Sequence, residues 1–222
     1  MSTNAERLLD SDLAGFVLLP EDPGYDDARA VWNATVDRRP ALIVRCASDN
    51  DVVQAIRFAC EHSLPLSIRG GGHHIAGNAV CDDGLVIDLS ARKDVEVDPE
   101  ARRVHVAPGA TLADVDRATQ VHGLAVPVGI NSTTGIAGLT LGGGFGWLSR
   151  KHGLTVDSLV GADVVTADGR KLTANATENA DLFWALRGGG GNFGVVTRFT
   201  FALHPVGPDV LSGLVVYPLD RG

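Results

Sequence analysis

The stretch LPLSIRGGGHHIAGN, residues 64–78, decides how the fold and the binding chemistry of this chain are interpreted. Residues 64–70 form a short apolar run that predicts a buried β-strand, and Gly70 is the first of three consecutive glycines. Because glycine has no side chain, such a loop can approach a ligand closely and aim several backbone N–H groups at one phosphate. Arg69 adds a cation that can neutralise a diphosphate. The stretch therefore predicts a phosphate-binding loop at the end of a strand, with a flexible turn as the alternative.

The residues before this stretch predict a strand and a helix. Residues 41–47, ALIVRCA, are a β-branched apolar run typical of a buried strand. Ser48 and Asp51 then have the spacing of a capping box, with aspartate in place of glutamate, and apolar residues follow on one helical face until His62. Together with the strand at residues 64–70, this order predicts a right-handed βαβ unit.

The rest of the chain predicts an α+β fold in which hairpins are prominent. Turns at residues 98–100 and 168–169 each join two apolar segments, which predicts two β-hairpins. Further strands are predicted at residues 85–90 and from Gly194 onwards, and helices are predicted at residues 5–13, 25–32, 112–121 and 179–186. Because strands and helices do not alternate regularly, the sequence predicts short helices packed on mixed sheets and not a doubly wound sheet.

Two further glycine clusters lie downstream. Residues 133–147, TTGIAGLTLGGGFGW, make a long run of backbone available for contact with a ligand or for tight packing against a neighbouring helix. In residues 187–194, RGGGGNFG, the glycines at 189, 191 and 194 match the spacing G-x-G-x-x-G. A dinucleotide fingerprint follows a strand and opens a helix, whereas this segment follows a predicted helix and opens a predicted strand, so a Rossmann site is excluded. The three glycine loops together predict an extended cofactor that carries phosphate.

Composition excludes several classes of function. The 222 residues carry a net charge of −8, which argues against a general nucleic-acid binder. No run approaches the roughly 18 apolar residues of a membrane span, and no secretory signal is recognised at the N-terminus. The three cysteines are too few, and odd in number, for a disulfide framework, which predicts a cytoplasmic location. The histidines lack metal-ligand spacing, so no metal site is predicted.

Several motifs together resemble one protein family. The first is R-G-G-G-H-x-x-x-G-N at residues 69–78, which is followed by D-G-L-V-I-D-L-S at residues 83–90. The others are the segments at residues 138–157, 181–197 and 201–205. In this order they resemble the flavin domain of the p-cresol methylhydroxylase (PCMH) and vanillyl-alcohol oxidase superfamily. Within that superfamily the chain is most similar to the berberine-bridge-enzyme-like FAD-linked oxidases, and the resemblance spans about residues 40–218.

The resemblance implies a PCMH-type FAD-binding domain made of two α+β subdomains, a small N-terminal part with the βαβ unit and a larger part with a mixed sheet. It divides the chain into an N-terminal segment at residues 1–39, the FAD-binding domain at residues 40–210 and the start of a linker or substrate domain at residues 211–222. An intact relative is expected to transfer hydride from an alcohol, a sugar or a secondary metabolite to FAD, which dioxygen then reoxidises.

The resemblance also implies the residues of the cofactor site. His73 stands where the family joins the flavin 8α-methyl group covalently, and His74 follows it. The residues expected around the diphosphate are Arg69, Gly70, Gly71, Gly72, Gly77 and Asn78. Those expected along the isoalloxazine and ribityl chain are Thr133, Thr134, Gly135, Gly138, Leu139, Gly142, Gly143, Gly144 and Phe145. Val196 is expected at the adenosine end.

Two departures from the family pattern limit the interpretation. Asn131 stands where some members attach the flavin a second time through a cysteine, so one covalent bond at most is expected. The chain ends at Gly222, before the domain that carries the usual tyrosine base, and neither Tyr25 nor Tyr217 lies in a motif, so no catalytic residue is identified. A truncated flavin-binding module without catalysis therefore stays open as an alternative. A molybdenum-hydroxylase flavin subunit shares the broader fold but lacks the G-G-G-H pattern.

Overall fold

Two β-sheets organise the protein. The computed structural model describes residues 13–211 and 213–221, and it confirms the predicted α+β class. One sheet has four strands and the other has five, and a short pairing of two strands lies apart from both. Within the described residues, no helix is long and apolar enough to cross a lipid bilayer.

The four-stranded sheet contains the first glycine loop. Its strands are β1 (Phe16–Leu18), β2 (Leu42–Arg45), β3 (Leu66–Arg69) and β4 (Leu85–Asp88), in the order β1-β2-β4-β3. Strand β4 is parallel to both β2 and β3, and β1 is antiparallel to β2. The predicted strand, helix and strand are therefore present, but β4 lies between the two strands of the predicted βαβ unit. The sequence could not show this insertion because β4 comes later in the chain.

Helix α2 (Asp49–Glu61), which joins β2 to β3, begins at the predicted capping box. Ser48 Oγ accepts the backbone N–H of Asp51 at 3.2 Å, and the carboxylate of Asp51 accepts the N–H of Ser48 at 3.2 Å. The same carboxylate is fully buried and also accepts the N–H groups of Ala14, Gly15 and Ala47 at 3.0, 2.9 and 2.8 Å. Asp51 therefore fixes the helix to the chain before β1 as well as capping it.

The five-stranded sheet is antiparallel throughout, so the mixed sheet expected for the larger subdomain is instead found in the smaller one. Its strands are β5 (Val95–Asp98), β6 (Arg103–Val106), β8 (Leu159–Val165), β9 (Lys171–Asn175) and β10 (Val195–Ala202), in the order β5-β6-β10-β8-β9. Both predicted hairpins are confirmed. Strand β7 (Leu124–Ala125) pairs with β11 (His204–Pro205) outside this sheet.

The other helices are short. They are α1 (Tyr25–Arg29), α3 (Leu112–Gln120), α4 (Ile136–Leu141), α5 (Ser149–His152), α6 (Thr155–Ser158) and α7 (Ala180–Leu186), and a 3₁₀ turn covers Leu219–Arg221. Helix α1 ends at Arg29 and not at Trp32 as predicted, because the backbone is already extended at Ala30. Helix α4 was not predicted from the second glycine cluster. The helix predicted at residues 5–13 lies outside the described residues except for Leu13.

Of the three hydrophobic cores in the described residues, the two largest meet between the sheets. In the first, Val52 and Ile56 of α2 pack with Ile87 of β4. In the second, Phe199 and Phe201 of β10 pack with residues of α3, α4 and α7. Val165 of β8 and Val195 of β10 belong to the first core although their strands form the second sheet. This shared packing holds the two subdomains together.

Candidate functional site

A cavity of about 800 Å³ is bordered by all three glycine clusters. Cofactor and ligand cavities typically measure about 300–1,000 Å³, so its size suits a small molecule or a cofactor. Its lining includes twelve of the residues expected at the cofactor site: Gly70, Gly71, Gly72, His73, His74, Asn78, Thr134, Gly135, Gly138, Leu139, Gly142 and Val196. The fold thus brings together residues that lie up to 126 positions apart in the sequence.

The first two glycine clusters touch through their backbones. A Cβ atom added to Gly71 would lie 2.4 Å from the backbone N of Gly135, and one added to Gly135 would lie 2.4 Å from the backbone N of Gly71. Neither position leaves room for a side chain. Gly72 is the residue of this loop with a left-handed backbone, at φ +69°. The glycines therefore serve close packing between two loops as well as access for a ligand.

Other glycines of the lining open directly onto the cavity. A Cβ atom added to Gly138 or Gly191 would meet no protein atom within 4 Å, and both residues line the cavity. A ligand can consequently approach the backbone at these two positions. Apolar side chains complete the lining at Ile68, Leu89 and Leu141. This cradle of bare backbone and apolar side chains fits an extended cofactor that has both phosphate groups and a flat ring system.

Arg69 lies behind the glycine loop and not in the lining. Its guanidinium donates from Nη1 to the carbonyl of Ala28, and it lies 3.6 Å from the point where a Cβ of Gly72 would stand. Its Nε is buried without a hydrogen-bond partner among the described residues, and burial lowers the pKa of the guanidinium. In this arrangement Arg69 supports the loop from behind, and its predicted contact with a diphosphate stays a prediction.

Five more expected residues lie outside the lining. A Cβ at Gly77 would lie 2.6 Å from Val36, so this glycine packs against the N-terminal segment. Gly144 packs against Thr155 in the same way, whereas the ring of Phe145 is 72% exposed. The other two are Gly143, at φ +106°, and Thr133, which contacts a lining residue. Their contacts with a cofactor stay predictions.

His73 is held on two sides. Its Nε2 lies 3.0 Å from Oγ1 of Thr133, and its ring stacks on the indole of Trp32 with a centroid distance of 5.3 Å. Burial lowers the pKa of His73, which favours the neutral imidazole. His74 is exposed. The two neighbouring histidines therefore have different environments, and only the first is fixed by its contacts.

The segment that holds this loop was missed by the sequence analysis. The backbone N–H of Trp32 donates to the carbonyl of Gly72 at 3.0 Å, and Nδ2 of Asn33 donates to the carbonyl of Ile75 at 2.7 Å. No local pattern reveals these contacts, because about 40 residues separate the partners. The lining residues Gly190, Gly191 and Asn192 were not among the residues expected individually at the cofactor site, although the glycine cluster that contains them was predicted to contribute to it.

The described part of the chain gathers no group of three His, Cys, Asp or Glu side chains that could hold a metal ion.

Residues 40–175 match the protein family described as "FAD binding domain". The chain belongs to the berberine-bridge-enzyme-like FAD-linked oxidoreductases. It comprises the FAD-binding domain of that family, as the motifs predicted.

Individual members of this FAD-linked family are similar to the chain in sequence and in structure. The chain is 37% identical over 205 residues to (R)-6-hydroxynicotine oxidase of Paenarthrobacter nicotinovorans, covering 92% of this chain and 45% of the relative. The crystal structure of 6-hydroxy-D-nicotine oxidase from Arthrobacter nicotinovorans superposes with a TM-score of 0.86 at 38% identity, over 87% of this chain and 43% of that one. Glucooligosaccharide oxidase from Acremonium strictum gives a TM-score of 0.84 at 33% identity, over 90% and 42% of the two chains. The chain thus spans less than half the length of these relatives.

Proposed function

We propose that this chain binds FAD in the cavity and attaches it covalently through His73, as part of an oxidase that acts on a small molecule. The observation that carries the proposal is the placement of His73. It lines the cavity at the end of the first glycine loop, and contacts with Thr133 and Trp32 fix its ring. His74 borders the cavity too, but its side chain is exposed and lacks these contacts.

The glycine loops provide the binding groups for the cofactor. The backbone of residues 70–72 can direct N–H groups at a diphosphate, and the missing side chains at Gly138 and Gly191 admit the ring system close to the backbone. Leu139 and Leu141 provide apolar contacts that exclude water. Bound FAD would supply hydride acceptance, which no protein side chain provides.

His73 has the properties of an attaching group. Burial lowers its pKa below the ordinary value, which favours the neutral ring with a lone pair for bond formation. Attachment forms one N–C bond to the flavin 8α carbon and breaks one methyl C–H bond and one imidazole N–H bond. The two hydrogens and two electrons released from these bonds reduce the isoalloxazine, and dioxygen removes them as hydrogen peroxide.

One relative supports a histidine bond, and the sequence of this chain argues for a single bond. The FAD of glucooligosaccharide oxidase is described as 6-S-cysteinyl, 8α-N1-histidyl. In this chain Asn131 stands at the position expected for the second, cysteine attachment, and the three cysteines lie elsewhere at Cys46, Cys60 and Cys81. We therefore expect one covalent bond.

The substrate is proposed from the family alone as an alcohol, a sugar or a secondary metabolite, with dioxygen as the second substrate. Among the described residues, His73 and His74 are the acid–base side chains of the lining. Tyr25 is buried and donates its hydroxyl to the carbonyl of Pro40 at 2.5 Å, so it is engaged away from the cavity. The engagement of the Tyr25 hydroxyl away from the cavity favours the second candidate, a flavin-binding module without catalysis of its own. A cytoplasmic location stays a prediction.

The proposal is tested by acid precipitation of the purified, flavin-loaded protein. Flavin absorbance should remain with the precipitate of the unmutated protein and of His74→Ala. His73→Ala should release its flavin into the supernatant. If acid released FAD from the unmutated protein, the covalent attachment would be wrong. Peroxide formation with a panel of alcohols and sugars separates the oxidase from the module without catalysis.

A further inference from the structure

A chain of hydrogen bonds connects Asn131 to His73 through Thr133. Oδ1 of Asn131 lies 3.1 Å from the backbone N and 2.9 Å from Oγ1 of Thr133. The same Oγ1 lies 3.0 Å from Nε2 of His73. Among the described residues, Nδ1 of His73 has no hydrogen-bond partner. Only one of the two ring nitrogens is therefore engaged.

The donors and acceptors of this chain admit one arrangement. A backbone N–H can only donate, so the atom of Asn131 that faces the N–H of Thr133 is the carbonyl oxygen. That oxygen can only accept, so the hydroxyl of Thr133 donates its single hydrogen to Asn131. Oγ1 of Thr133 is then left as an acceptor towards His73. A neutral imidazole that donates from Nε2 carries no hydrogen on Nδ1.

We propose that the turn formed by Asn131 and Thr133 sets the tautomer of His73, so that Nδ1 keeps its lone pair and is the nitrogen that bonds FAD. Asn131 and Thr133 are positioning residues, because they act through His73 and not on the reacting carbon. The part of this inference that concerns bonding to FAD rests on the proposed function. The tautomer itself can be measured without flavin. Asn131, at the position of the second attachment in some members, would thus have a different role in this chain.

The same turn occurs at two other places, which provides a matched control. Thr35 and Thr177 each bond through N and Oγ1 to the Oδ1 of the asparagine two positions earlier, at 2.9–3.2 Å. The turn is therefore a general local structure of an Asn-x-Thr sequence. Thr133 is the one of these three threonines whose hydroxyl also contacts a histidine in the described part of the chain. Removing the hydroxyl of Thr177 leaves His73 untouched.

The first experiment measures the tautomer by long-range ¹H–¹⁵N NMR of the imidazole rings at pH 8, where His73 is neutral. The signals of His73 are assigned by their loss in His73→Gln. Unmutated protein, Thr133→Ser and Thr177→Val should show a protonated Nε2 and an unprotonated Nδ1. Thr133→Val should show a mixture of the two tautomers. A protonated Nδ1 in the unmutated protein, or an unchanged tautomer in Thr133→Val, would overturn the inference.

The second experiment follows FAD attachment to the same variants by acid-stable absorbance, and locates the bond in the isolated flavinyl peptide. The bond should be at Nδ1. Thr133→Val should attach flavin about five- to tenfold more slowly, which corresponds to the net free energy of one hydrogen bond. Thr133→Ser should restore the rate. A bond at Nε2 would overturn the inference while leaving the proposed function intact. The predicted tautomer without acid-stable flavin in any variant would instead contradict the proposed function.

Discussion

The indole of Trp32 stacks on the imidazole of His73, with ring planes 21° apart and centroids 5.3 Å apart. The two residues lie 41 positions apart in the sequence, and Trp32 is still 60% exposed. The backbone N–H of Trp32 also donates to the carbonyl of Gly72, the residue before His73. The segment that precedes β2 thus packs directly on the histidine at the centre of the proposed site.

Trp32→Ala should loosen His73 and slow flavin attachment. The loss of an aromatic pair is expected to cost about 1 kcal/mol locally, which corresponds to a rate about fivefold lower. Trp32→Phe should keep most of the rate, because it retains an aromatic face. Trp184→Ala, at a tryptophan that is 78% exposed in α7, is the matched control and should attach flavin normally. Acid-stable absorbance against time is the measurement, and equal rates for Trp32→Ala and Trp184→Ala would contradict this role.

Gly138→Ala should separate binding from stability. Its Cβ would meet no protein atom within 4 Å, and the residue lies inside α4, where alanine is favoured over glycine by about 1 kcal/mol. The melting temperature should therefore stay the same or rise. In a His73→Ala background, where FAD is held without a covalent bond, FAD affinity should fall at least about tenfold, because a methyl group would occupy the cradle. Gly207→Ala, equally free of contacts but outside the cavity, should bind FAD normally. Unchanged affinity in Gly138→Ala would place the ring system elsewhere.

Gly71→Val should have a different outcome. The added side chain would overlap the backbone of Gly135, so the two loops would have to separate. Flavin binding should be lost. The free energy of unfolding should also fall by about 1–3 kcal/mol, as is typical of an overpacked site. Urea unfolding of the protein without flavin measures the stability term. Full stability of Gly71→Val together with lost flavin would mean that the position contacts the cofactor and not Gly135.

Asp51→Ala should be among the most destabilising substitutions at a polar residue. It would leave the partly buried N–H groups of Ala14, Gly15 and Ala47 without their carboxylate acceptor, at an expected total of about 3–5 kcal/mol for three hydrogen bonds to a charged group. Asp114, whose carboxylate caps α3 by accepting the N–H and hydroxyl of Thr111, is the control, and Asp114→Ala should cost about 1 kcal/mol. Urea unfolding of both variants tests the difference. Equal losses would show that the contacts of Asp51 beyond its own helix contribute nothing.

His204 should make stability depend on pH. Burial and the neighbouring His152, whose ring stacks on it at 4.2 Å, lower its pKa below the ordinary value near 6.5. The unfolded chain therefore binds a proton more readily than the folded one. The free energy of unfolding should be highest above pH 6.5 and fall as the pH drops from there through the lower folded pKa. His204→Gln should flatten this part of the curve, whereas substitution of the exposed His122 should not. A slope that His204→Gln leaves unchanged would assign the effect to other groups.

Local patterns predicted most elements of the fold, and tertiary contacts account for the misses. The capping box at Ser48 and both hairpins were correct because their signals lie within a few residues. The insertion of β4 between β2 and β3 was missed because strand order depends on contacts between segments far apart in sequence. Helix α4 was missed because glycines disfavour a helix, whereas the burial of Ile136 and Thr140 stabilises one here.

The sequence by itself determined the α+β class, the glycine loops and, through its motifs, the FAD-binding family. These features depend on residue types and short spacings, which a linear chain displays directly. Only the tertiary structure decided what each loop residue contacts. Arg69, a cation beside three glycines, lies behind the loop because its guanidinium bonds Ala28, and Trp32 reaches His73 because the N-terminal segment folds back over the loop. Packing between distant segments, and not local propensity, fixes the direction of these side chains.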